Sequence, residues 1–411
     1  MKNILIAIRS IFKKGRHNVM KIVSLGIGLA VGLVLIAKVY FEQSYDDFYP
    51  DRDRVYQVWA KYQQKGGELK DYPQTSGGIA PTMQQQIPEI ETVTRYTSFG
   101  DWTFTMTDTK MKYSGRCIIA DSCFFDILPR PMLIGNAKEV LSTPMYVLIS
   151  SRIAKNIGGD VIGKNFTVDN SPGRTMTIGG VFEEVPENSH SRYDVIVSMA
   201  SAGRFMWEGS PTNMLGNDRY ISYVKLHKGV NPLALEEQVR TFVNSYFPPE
   251  EQQKVGLSID FSFHKLDNLH KELPQVKRMT WILSLLAFAL IFTAVMNYIL
   301  IVISSIVNRS KEVAVHKCYG ASENNIHGMM FGEALVHIVL SLILALLLIL
   351  AFRGTVEELL ATSLDSLLLS NGSLVLLGIC ILVFFVSGFM PGSLYARIPV
   401  ASAFRNYREN K

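Results

Sequence analysis

Residues 279–308 read MTWILSLLAFALIFTAVMNYILIVISSIVN and contain no charged side chain. A helix needs about 20 mostly apolar residues to cross the roughly 30 Å of hydrocarbon in a bilayer. As a helix, this stretch would be about 45 Å long, at about 1.5 Å per residue. We therefore predict a transmembrane helix over residues 279–307 that is longer than the membrane is thick and continues as helix into water.

Three further stretches are apolar and long enough to cross a bilayer. They cover residues 19–40, 329–352 and 374–396. Lys21 and Lys38 lie at the ends of the first stretch, where their aliphatic stems should let the ammonium groups reach the polar interface. The rest of the chain is too polar to span, so the sequence predicts a membrane protein with four transmembrane helices.

The Lys and Arg residues beside these spans predict their orientation, because basic flanks resist transfer across a membrane. Residues 1–18, the link 308–328 and the tail 397–411 are rich in Lys and Arg and are expected in the cytoplasm. The link 353–373 is mainly acidic, so it is expected on the extracytoplasmic side of the membrane. Both termini then lie in the cytoplasm, and residues 41–278 form one large extracytoplasmic domain.

A basic N-terminus followed by an apolar run is also typical of a cleaved signal peptide. We favour an uncleaved span, because Lys38 interrupts the place where the small residues of a cleavage site should stand. Residues 1–18 carry Ile4, Ile8 and Ile11 on one helical face, apart from their basic residues, which predicts an amphipathic helix on the inner leaflet. A straight extension of the first span is the alternative.

The composition agrees with a membrane protein that carries a folded domain outside the bilayer. Of 411 residues, 48% are hydrophobic and 19% are charged, which excludes a disordered or collagen-like chain. The net charge is +5, but residues 41–278 hold 26 Lys and Arg against 29 Asp and Glu, and the remaining residues hold 15 against 7. Because the basic excess belongs to the membrane-flanking segments, we expect the lipid bilayer and no nucleic acid as a partner.

The large domain has the pattern of a mixed α+β fold, in which two β-α-β units frame a series of short strands. Residues 41–130 and 218–278 are assigned to a membrane-proximal α/β subdomain that is discontinuous in the chain. Residues 140–215 are expected to form a β-rich subdomain inserted into it. The segments of the two units, each a strand, a helix and a strand, are 54–62, 79–87 and 92–99, and 219–226, 231–246 and 255–266.

Motifs for catalysis and metal binding are missing from the sequence. The phosphate-binding loop of two glycines followed by Lys and Ser or Thr does not occur, and no Gly-x-Ser-x-Gly elbow marks a hydrolase. The histidines of the large domain lack metal-ligand spacing and are expected at the surface or in turns. We therefore assign no catalytic residue, cofactor or metal to this chain. These histidines are His190, His227, His264 and His270.

Cys117 and Cys123 are expected in a compartment where a disulfide can persist, and a turn between them would allow one. The intervening Ile118-Ile119-Ala120 favours a strand, which would carry the two sulfurs apart. Cys318 and Cys380 are expected to be reduced packing residues.

Three polar side chains lie inside the predicted spans. Glu333 and His337 are one helical turn apart in the third span, so they share a face that must meet other helices or water. A proton path could use such a pair, but a place near the cytoplasmic end favours a structural hydrogen bond. Asn297 in the second span has the same two interpretations, with packing favoured.

Residues 309–322 read RSKEVAVHKCYGAS. This stretch is similar to the R-x-x-E-I-x-I-R-K-x-x-G-A-S pattern that follows the second span in the MacB/FtsX-type permeases of ABC transporters. His316 stands where that family usually has Arg. The large domain resembles the periplasmic core domain of Bacteroidetes-type members in the runs Tyr45-Asp46-Asp47-Phe48 and Pro186-Glu187-Asn188-Ser189-His190. With the tail 391–399, the resemblance extends over essentially the whole chain.

The resemblance implies a permease subunit of the bacterial inner membrane that works with a separate cytoplasmic ATPase, which would hold ATP and Mg²⁺. It also implies a second copy or a related permease, with a periplasmic adaptor and an outer-membrane channel as further partners. Related members transmit nucleotide-driven motion to the periplasmic domain and do not pass substrate between their spans. The residues that the resemblance assigns to ATPase coupling are Arg309, Lys311, Glu312, His316, Lys317, Gly320, Ala321 and Ser322.

Two other functions fit this layout. The large domain could act as a ligand-binding or sensory module that the spans only anchor. A stand-alone proton-coupled carrier would depend on Glu333 and His337. No motif in the sequence identifies a cargo.

Overall fold

The computed structural model describes residues 18–64, 67–169, 171–304, 315, 318–320, 322–368, 375 and 378–383. The chain divides into two compact units, which we call the membrane unit and the outer unit. The outer unit is Tyr45–Leu273, and the membrane unit is built from the two ends of the chain. Residues 1–17 of the predicted amphipathic helix and the tail 397–411 lie outside the described residues.

Helices and strands are numbered here in chain order. The helices are α1 Asn18–Gln43, α2 Ile79–Gln86, α3 Phe124–Ile127, α4 Ala137–Ser142, α5 Ser151–Ile157, α6 Glu236–Tyr246, α7 Pro249–Val255, α8 Pro274–Ser304, α9 Glu323–Ala351, α10 Arg353–Leu360 and α11 Leu364–Leu368. The strands are β1 Val55–Gln64, β2 Lys70–Tyr72, β3 Ile90–Met106, β4 Lys112–Ala120, β5 Met132–Ile134, β6 Tyr146–Ser150, β7 Asn165–Val168, β8 Ser171–Phe182, β9 Val195–Ser198, β10 Ile221–Leu226 and β11 Leu257–Lys265.

Three helices in the described part of the chain are long and apolar enough to cross a membrane. They are α1, α8 and the Phe331–Ala351 part of α9, and they correspond to the first three predicted spans. α8 has 31 residues and begins at Pro274, five residues before the apolar run starts at Met279. The helix therefore continues beyond the apolar run at this end, as we predicted from the length of the run. The fourth predicted span, 374–396, lies mostly outside the described residues, which include only the helical residues 375 and 378–383 of it.

Glycines bring α1 close to both of its neighbours in the membrane unit. Gly28 and Gly32 face α8, and a side-chain carbon added to either would collide with Ala294 or Ile291. Gly26 faces α9, where an added carbon would lie 2.9 Å from the nearest atom of that helix. Glycines four residues apart let helix backbones approach closely in lipid, where van der Waals packing holds helices together. α1 is therefore packed against α8 and α9 through its smallest residues.

One mixed sheet forms the centre of the outer unit, in the order β11-β1-β10-β3-β4-β9-β6-β8-β5, with β2 beside β1 and β7 beside β3 and β8. The strands β11-β1-β10-β3 come from the two predicted β-α-β units, and all three contacts between them are antiparallel. Each unit exists, but a strand of the other unit lies between its two strands. This interleaving is the arrangement of the ferredoxin-like β-α-β-β-α-β motif.

β3 is 17 residues long and runs through both halves of the sheet, because it pairs with β10 near its start and with β4 and β7 further along. α2 and α6 cover the first half, where Met83 and Phe242 are buried in one apolar cluster. Phe104 and Phe166 belong to another cluster, which fills the second half. Strands of both predicted subdomains thus share one sheet, and the subdomain boundaries stay a prediction.

The thiols of Cys117 and Cys123 are both free. Cys117 lies in β4, opposite Val195 of β9, and is buried. Cys123 lies beyond the end of that strand, with its Sγ 3.1 Å from the Val93 carbonyl oxygen. The strand between the two residues separates their side chains, as the run of Ile and Ala indicates, so the two thiols do not form a disulfide.

Candidate functional site at the ends of the outer unit

The chain enters the outer unit at Tyr45, directly after α1, and leaves it at Leu273, directly before α8. The residues at these two points connect the outer unit covalently to the two helices. Within the outer unit, those residues contact one another and a third segment. We call residues 45–49, 189–191 and 267–271 the junction cluster.

Asp46 lies at the centre of the junction cluster and is only 1% exposed. Its backbone φ is 59°, a left-handed conformation that is uncommon for a residue with a side chain. The Asp46 N–H donates to the Asn188 carbonyl at 2.9 Å. Its Oδ1 accepts from Ser189 Oγ at 3.1 Å and from the His190 N–H at 3.0 Å. These contacts hold the first residues of the outer unit against a segment 143 positions further along the chain.

The carboxyl of Asp46 is perturbed by its surroundings. Burial raises its pKa from 3.8 to about 6, against the opposing effects of the His190 and Ser189 hydrogen bonds and of nearby His270. An ionised carboxylate away from water is unfavourable unless donors surround it. The carboxyl of Asp46, with a pKa of about 6, therefore changes its charge as the pH passes that value.

The two ends of the outer unit are also bound directly to each other. The rings of Tyr45 and His270 stack with centroids 3.4 Å apart and planes 6° from parallel. Lys271 Nζ lies 2.8 Å from Asp267 Oδ1 and 3.4 Å from Asp47 Oδ1. One cation thereby joins the segment after α1 to the segment before α8.

A chain of hydroxyl groups continues from Asp46 into the sheet. Ser189 Oγ, which already donates to Asp46, lies 3.1 Å from the Ser191 carbonyl. Ser191 Oγ lies 2.8 Å from the hydroxyl of Tyr96 in β3 and 3.3 Å from that of Tyr223 in β10. Both tyrosines are buried. Buried polar groups that satisfy one another fix a single arrangement, so the junction cluster is tied to the two central strands.

The junction cluster brings together the two runs that carry the resemblance in the outer domain, 45–48 and 186–190. Our site prediction did not include them, because nothing local shows that two polar runs so far apart in sequence meet. The sequence does contain one signal that could have located this site, because each run has several Asp, Asn, Ser or His residues next to apolar strands. Such residues must either face water or find partners, and here they are partners of one another.

In the membrane unit, Lys38 does not extend to the polar interface, as its position at the end of the span had suggested. Its side chain is 8% exposed and its Nζ lies 2.6 Å from Glu42 Oε1, which is 6% exposed. Lys38 Nζ also donates to Thr362 Oγ1 at 2.7 Å. Thr362 follows Ala361, which has a φ of 49°. We call Lys38, Glu42 and Thr362 the outer clasp, since it joins the end of α1 to the α10–α11 link.

The polar side chains predicted inside the spans fall into two groups. Lys21, expected at the interface, is instead buried, as are Glu333 and His337. The hydroxyl of Tyr298 lies 3.5 Å from His337 Nδ1, so α8 and α9 meet at this level. Asn297, for which packing was favoured, is exposed on the outside of α8. Next to Lys21, the carbonyl oxygen of Ile22 accepts a hydrogen bond from Ser341 Oγ of α9 at 3.1 Å.

The predicted ATPase-coupling residues are described only at Gly320 and Ser322. Gly320 has a φ of 86° in a turn, and Ser322 is the N-cap of α9, where its Oγ accepts from the Asn325 N–H at 3.3 Å. Tyr319, which the prediction omitted, is 88% exposed. The other predicted coupling residues lie outside the described part of the chain; they are Arg309, Lys311, Glu312, His316, Lys317 and Ala321.

Two protein families match the chain. The MacB-like periplasmic core domain matches residues 20–242, and the FtsX-like permease C-terminal domain matches residues 284–400. The first covers the outer unit up to α6, and the second covers most of the later spans. No curated protein matches the chain.

Three solved structures are each similar to about half of this chain. A domain of a permease protein from Porphyromonas gingivalis is 33% identical over 53% of this chain and 91% of its own, with a TM-score of 0.49. The periplasmic region of MacB from Actinobacillus actinomycetemcomitans is 15% identical over 50% of this chain and 87% of its own, with a TM-score of 0.34. The extracellular domain of the noncanonic ABC-type transporter YknZ from Gram-positive bacteria is 11% identical over 50% of this chain and 98% of its own, with a TM-score of 0.35.

Proposed function

Since this chain belongs to the MacB/FtsX-type family of ABC transporter permeases, we propose that it transmits motion from a cytoplasmic ATPase to its outer unit through the junction cluster. The chain is a multi-pass protein of the inner membrane with a periplasmic domain, and its role is that of a permease subunit. Both termini are proposed to lie in the cytoplasm, on the same side as the ATPase.

One observation carries the proposal: both chain ends of the outer unit are bound to each other and to the sheet. The Tyr45–His270 stack joins the ends, and the hydrogen bonds of Asp46 begin a polar chain that reaches β3 and β10. Helices of 26 and 31 residues stand directly before and after this cluster in the chain. A shift of either helix then strains the cluster and displaces the sheet, so that motion on one side of the membrane becomes motion on the other.

The ATPase is proposed to be a separate chain, because this sequence has no phosphate-binding loop. ATP and Mg²⁺ would bind to that chain. The link 308–328 is the proposed docking surface, and its exposed Tyr319 adds an aromatic anchor of the kind that dominates protein interfaces. A second permease chain, a periplasmic adaptor and an outer-membrane channel are further proposed partners.

Coexpression with the ABC-type ATPases of the same organism tests the proposal. We expect the ATPase to copurify with the chain from mild detergent. Lys317→Glu and Tyr319→Ala should release it, because they alter the proposed docking surface. Lys155→Glu, an exposed position in the outer unit, is the matched control and should retain it. An ATPase that never copurifies, or that is bound equally by all variants, would contradict the proposal.

A groove of about 1410 Å³ in the outer unit supports a second candidate function, ligand capture. The groove is lined by β11, α6, α7 and the end of β1, and it offers charged Glu237 and Arg240 beside apolar Val239 and Phe261. A protein that only captured a ligand would keep its affinity after Lys317→Glu and lose it after Arg240→Glu. Under the first proposal, the same Lys317 change should abolish ATPase coupling.

A further inference from the structure

Three buried oxygen atoms at the junction cluster have no hydrogen-bond partner within the part of the chain that the structure describes. They are Asp46 Oδ2, the Tyr49 hydroxyl and the Tyr193 hydroxyl. The exposed fraction is 1% for Asp46 and Tyr49 and 3% for Tyr193. Buried polar atoms in proteins are nearly always satisfied by protein groups or by ordered water. We therefore expect these atoms to have a partner that is not a group of the described polypeptide.

The three atoms belong to side chains that lie close together. The Tyr49 N–H donates to the Asp46 carbonyl at 3.2 Å, and Tyr49 and Tyr193 pack in one apolar cluster. Burial raises the pKa of Tyr49 well above its ordinary value, and nearby Tyr193 and Asp46 raise that pKa further. Neither of these two groups has the geometry of a hydrogen bond with the Tyr49 hydroxyl. Polar groups at such a separation are commonly bridged by water.

The surroundings of the three atoms limit what can bind between them. Arg130 lies near both tyrosines, because its charge opposes the rise that burial causes in the pKa of each. A cation would be repelled by this guanidinium, and an anion would be repelled by ionised Asp46. A carboxyl oxygen accepts hydrogen bonds when ionised and can donate one when protonated, and a tyrosine hydroxyl can do both. A neutral ligand that both donates and accepts hydrogen bonds therefore fits this site.

We propose that a buried water molecule binds between Asp46 Oδ2 and the hydroxyls of Tyr49 and Tyr193. A buried water typically makes about three hydrogen bonds, and the three oxygen atoms supply them. Because the water can turn, it satisfies Asp46 both with and without a proton. The water joins the segment after α1 to the segment before β9. The site lies within the outer unit, so it does not depend on whether an ATPase binds.

A high-resolution density map of the full-length chain in detergent tests the site directly. We expect an isolated peak within about 3.2 Å of at least two of the three oxygen atoms. In the double variant Tyr49→Phe with Tyr193→Phe, the peak should disappear, because only the carboxyl of Asp46 is left to hold the water. A map of the unmodified chain in which the two tyrosine hydroxyls bond directly to each other, with no peak between them, would overturn the proposal.

Thermal unfolding of the same chain gives a second, independent measurement. Tyr49→Phe and Tyr193→Phe should each lower the unfolding temperature by about 2–4 °C, since the water loses one of its partners. The double variant should lose less than the sum of the two, because both hydroxyls bind one ligand. Tyr72→Phe, at an exposed tyrosine of β2, is the matched control and should unfold like the unmodified chain. Additive losses would show that the two hydroxyls do not share a partner and would contradict the inference.

Discussion

Asp46 shows how one buried carboxyl links the stability of the outer unit to pH. In the unfolded chain it titrates near its ordinary pKa of 3.8, whereas in the folded chain burial raises the pKa to about 6. The folded state therefore holds the proton more tightly. Stability contributed by this group is present below about pH 4 and is lost as pH rises to about 6, where ionised Asp46 costs roughly 3 kcal/mol.

We expect Asp46→Asn to raise the free energy of unfolding by about 1–3 kcal/mol at pH 8 and to leave it nearly unchanged at pH 4. The amide oxygen can accept the hydrogen bonds from Ser189 and His190 without carrying a charge. Urea unfolding of the purified chain, followed by tryptophan fluorescence at both pH values, measures this difference. Asp101→Asn, at a side chain that is 77% exposed, is the control. An effect of equal size at both pH values would show that the charge of Asp46 is not its cause.

Lys38 carries a second prediction, for the outer clasp. Lys38→Met should lower the free energy of unfolding of the membrane unit by about 3–5 kcal/mol, because the buried carboxylate of Glu42 loses the ammonium group that lies 2.6 Å from it. The double variant Lys38→Met with Glu42→Gln should recover most of that loss. Thermal unfolding in detergent of both variants and the unmodified chain gives the comparison. If the single and double variants unfold at the same temperature, the charge of Glu42 is not the cause of the lost stability.

Among the elements, the positions of the helices and strands of the outer unit in the sequence were largely predictable, but the pairing of the strands in the sheet was not. Alternation and helical spacing located β1, α2, β10 and α6 within a few residues, because these signals are local. The interleaving of β1 with β10 depends on pairing between strands more than 160 positions apart, such as Val55 with Lys225. The sequence of a hydrophobic strand does not identify the strand with which it pairs, so such pairings cannot be deduced from the local pattern.

Packing of α1 gives a prediction at the same scale. Gly28 and Gly32 form a Gly-x-x-x-Gly pair, a readable signal for close helix contact that our sequence prediction did not use. Gly28→Val should destabilise the membrane unit by about 2 kcal/mol or more, since its side chain would collide with Ala294. Protease resistance of the chain in membranes reports the loss. Val31→Leu, exposed on the same helix, should behave like the unmodified chain, and equal resistance of the Gly28 variant would refute close packing.

For the whole molecule, the sequence predicted three of the spans and the large domain between the first two, but not the junction cluster that the proposed function depends on. Charge and apolar length are properties of segments, so they reveal where the membrane lies. The stacking of Tyr45 on His270 joins residues from opposite ends of the outer unit. Such a contact exists only once the sheet between them has folded, and no local pattern contains it.

Transmission through the junction cluster makes a prediction about the assembled protein. With the ATPase bound, nucleotide should change the hydrogen–deuterium exchange of β3 and β10, because the polar chain from Asp46 ends on Tyr96 and Tyr223. Tyr45→Ala removes the stack on His270 and should abolish that change while ATP hydrolysis continues. Tyr146→Ala, at an exposed residue of β6, should leave it intact. A nucleotide response that survives in Tyr45→Ala would exclude the junction cluster as the route.

β3 contains an irregularity with a consequence for the shape of the sheet. Its register against β4 shifts between Ser98 and Gly100, so Phe99 is an extra residue in the strand, and Gly100 has a φ of 75°. A bulge bends its strand and increases the local right-handed twist. The bulge lies between the part of β3 that pairs with β10 and the part that pairs with β7. β3 therefore changes direction between the two halves of the sheet, although the one strand runs through both.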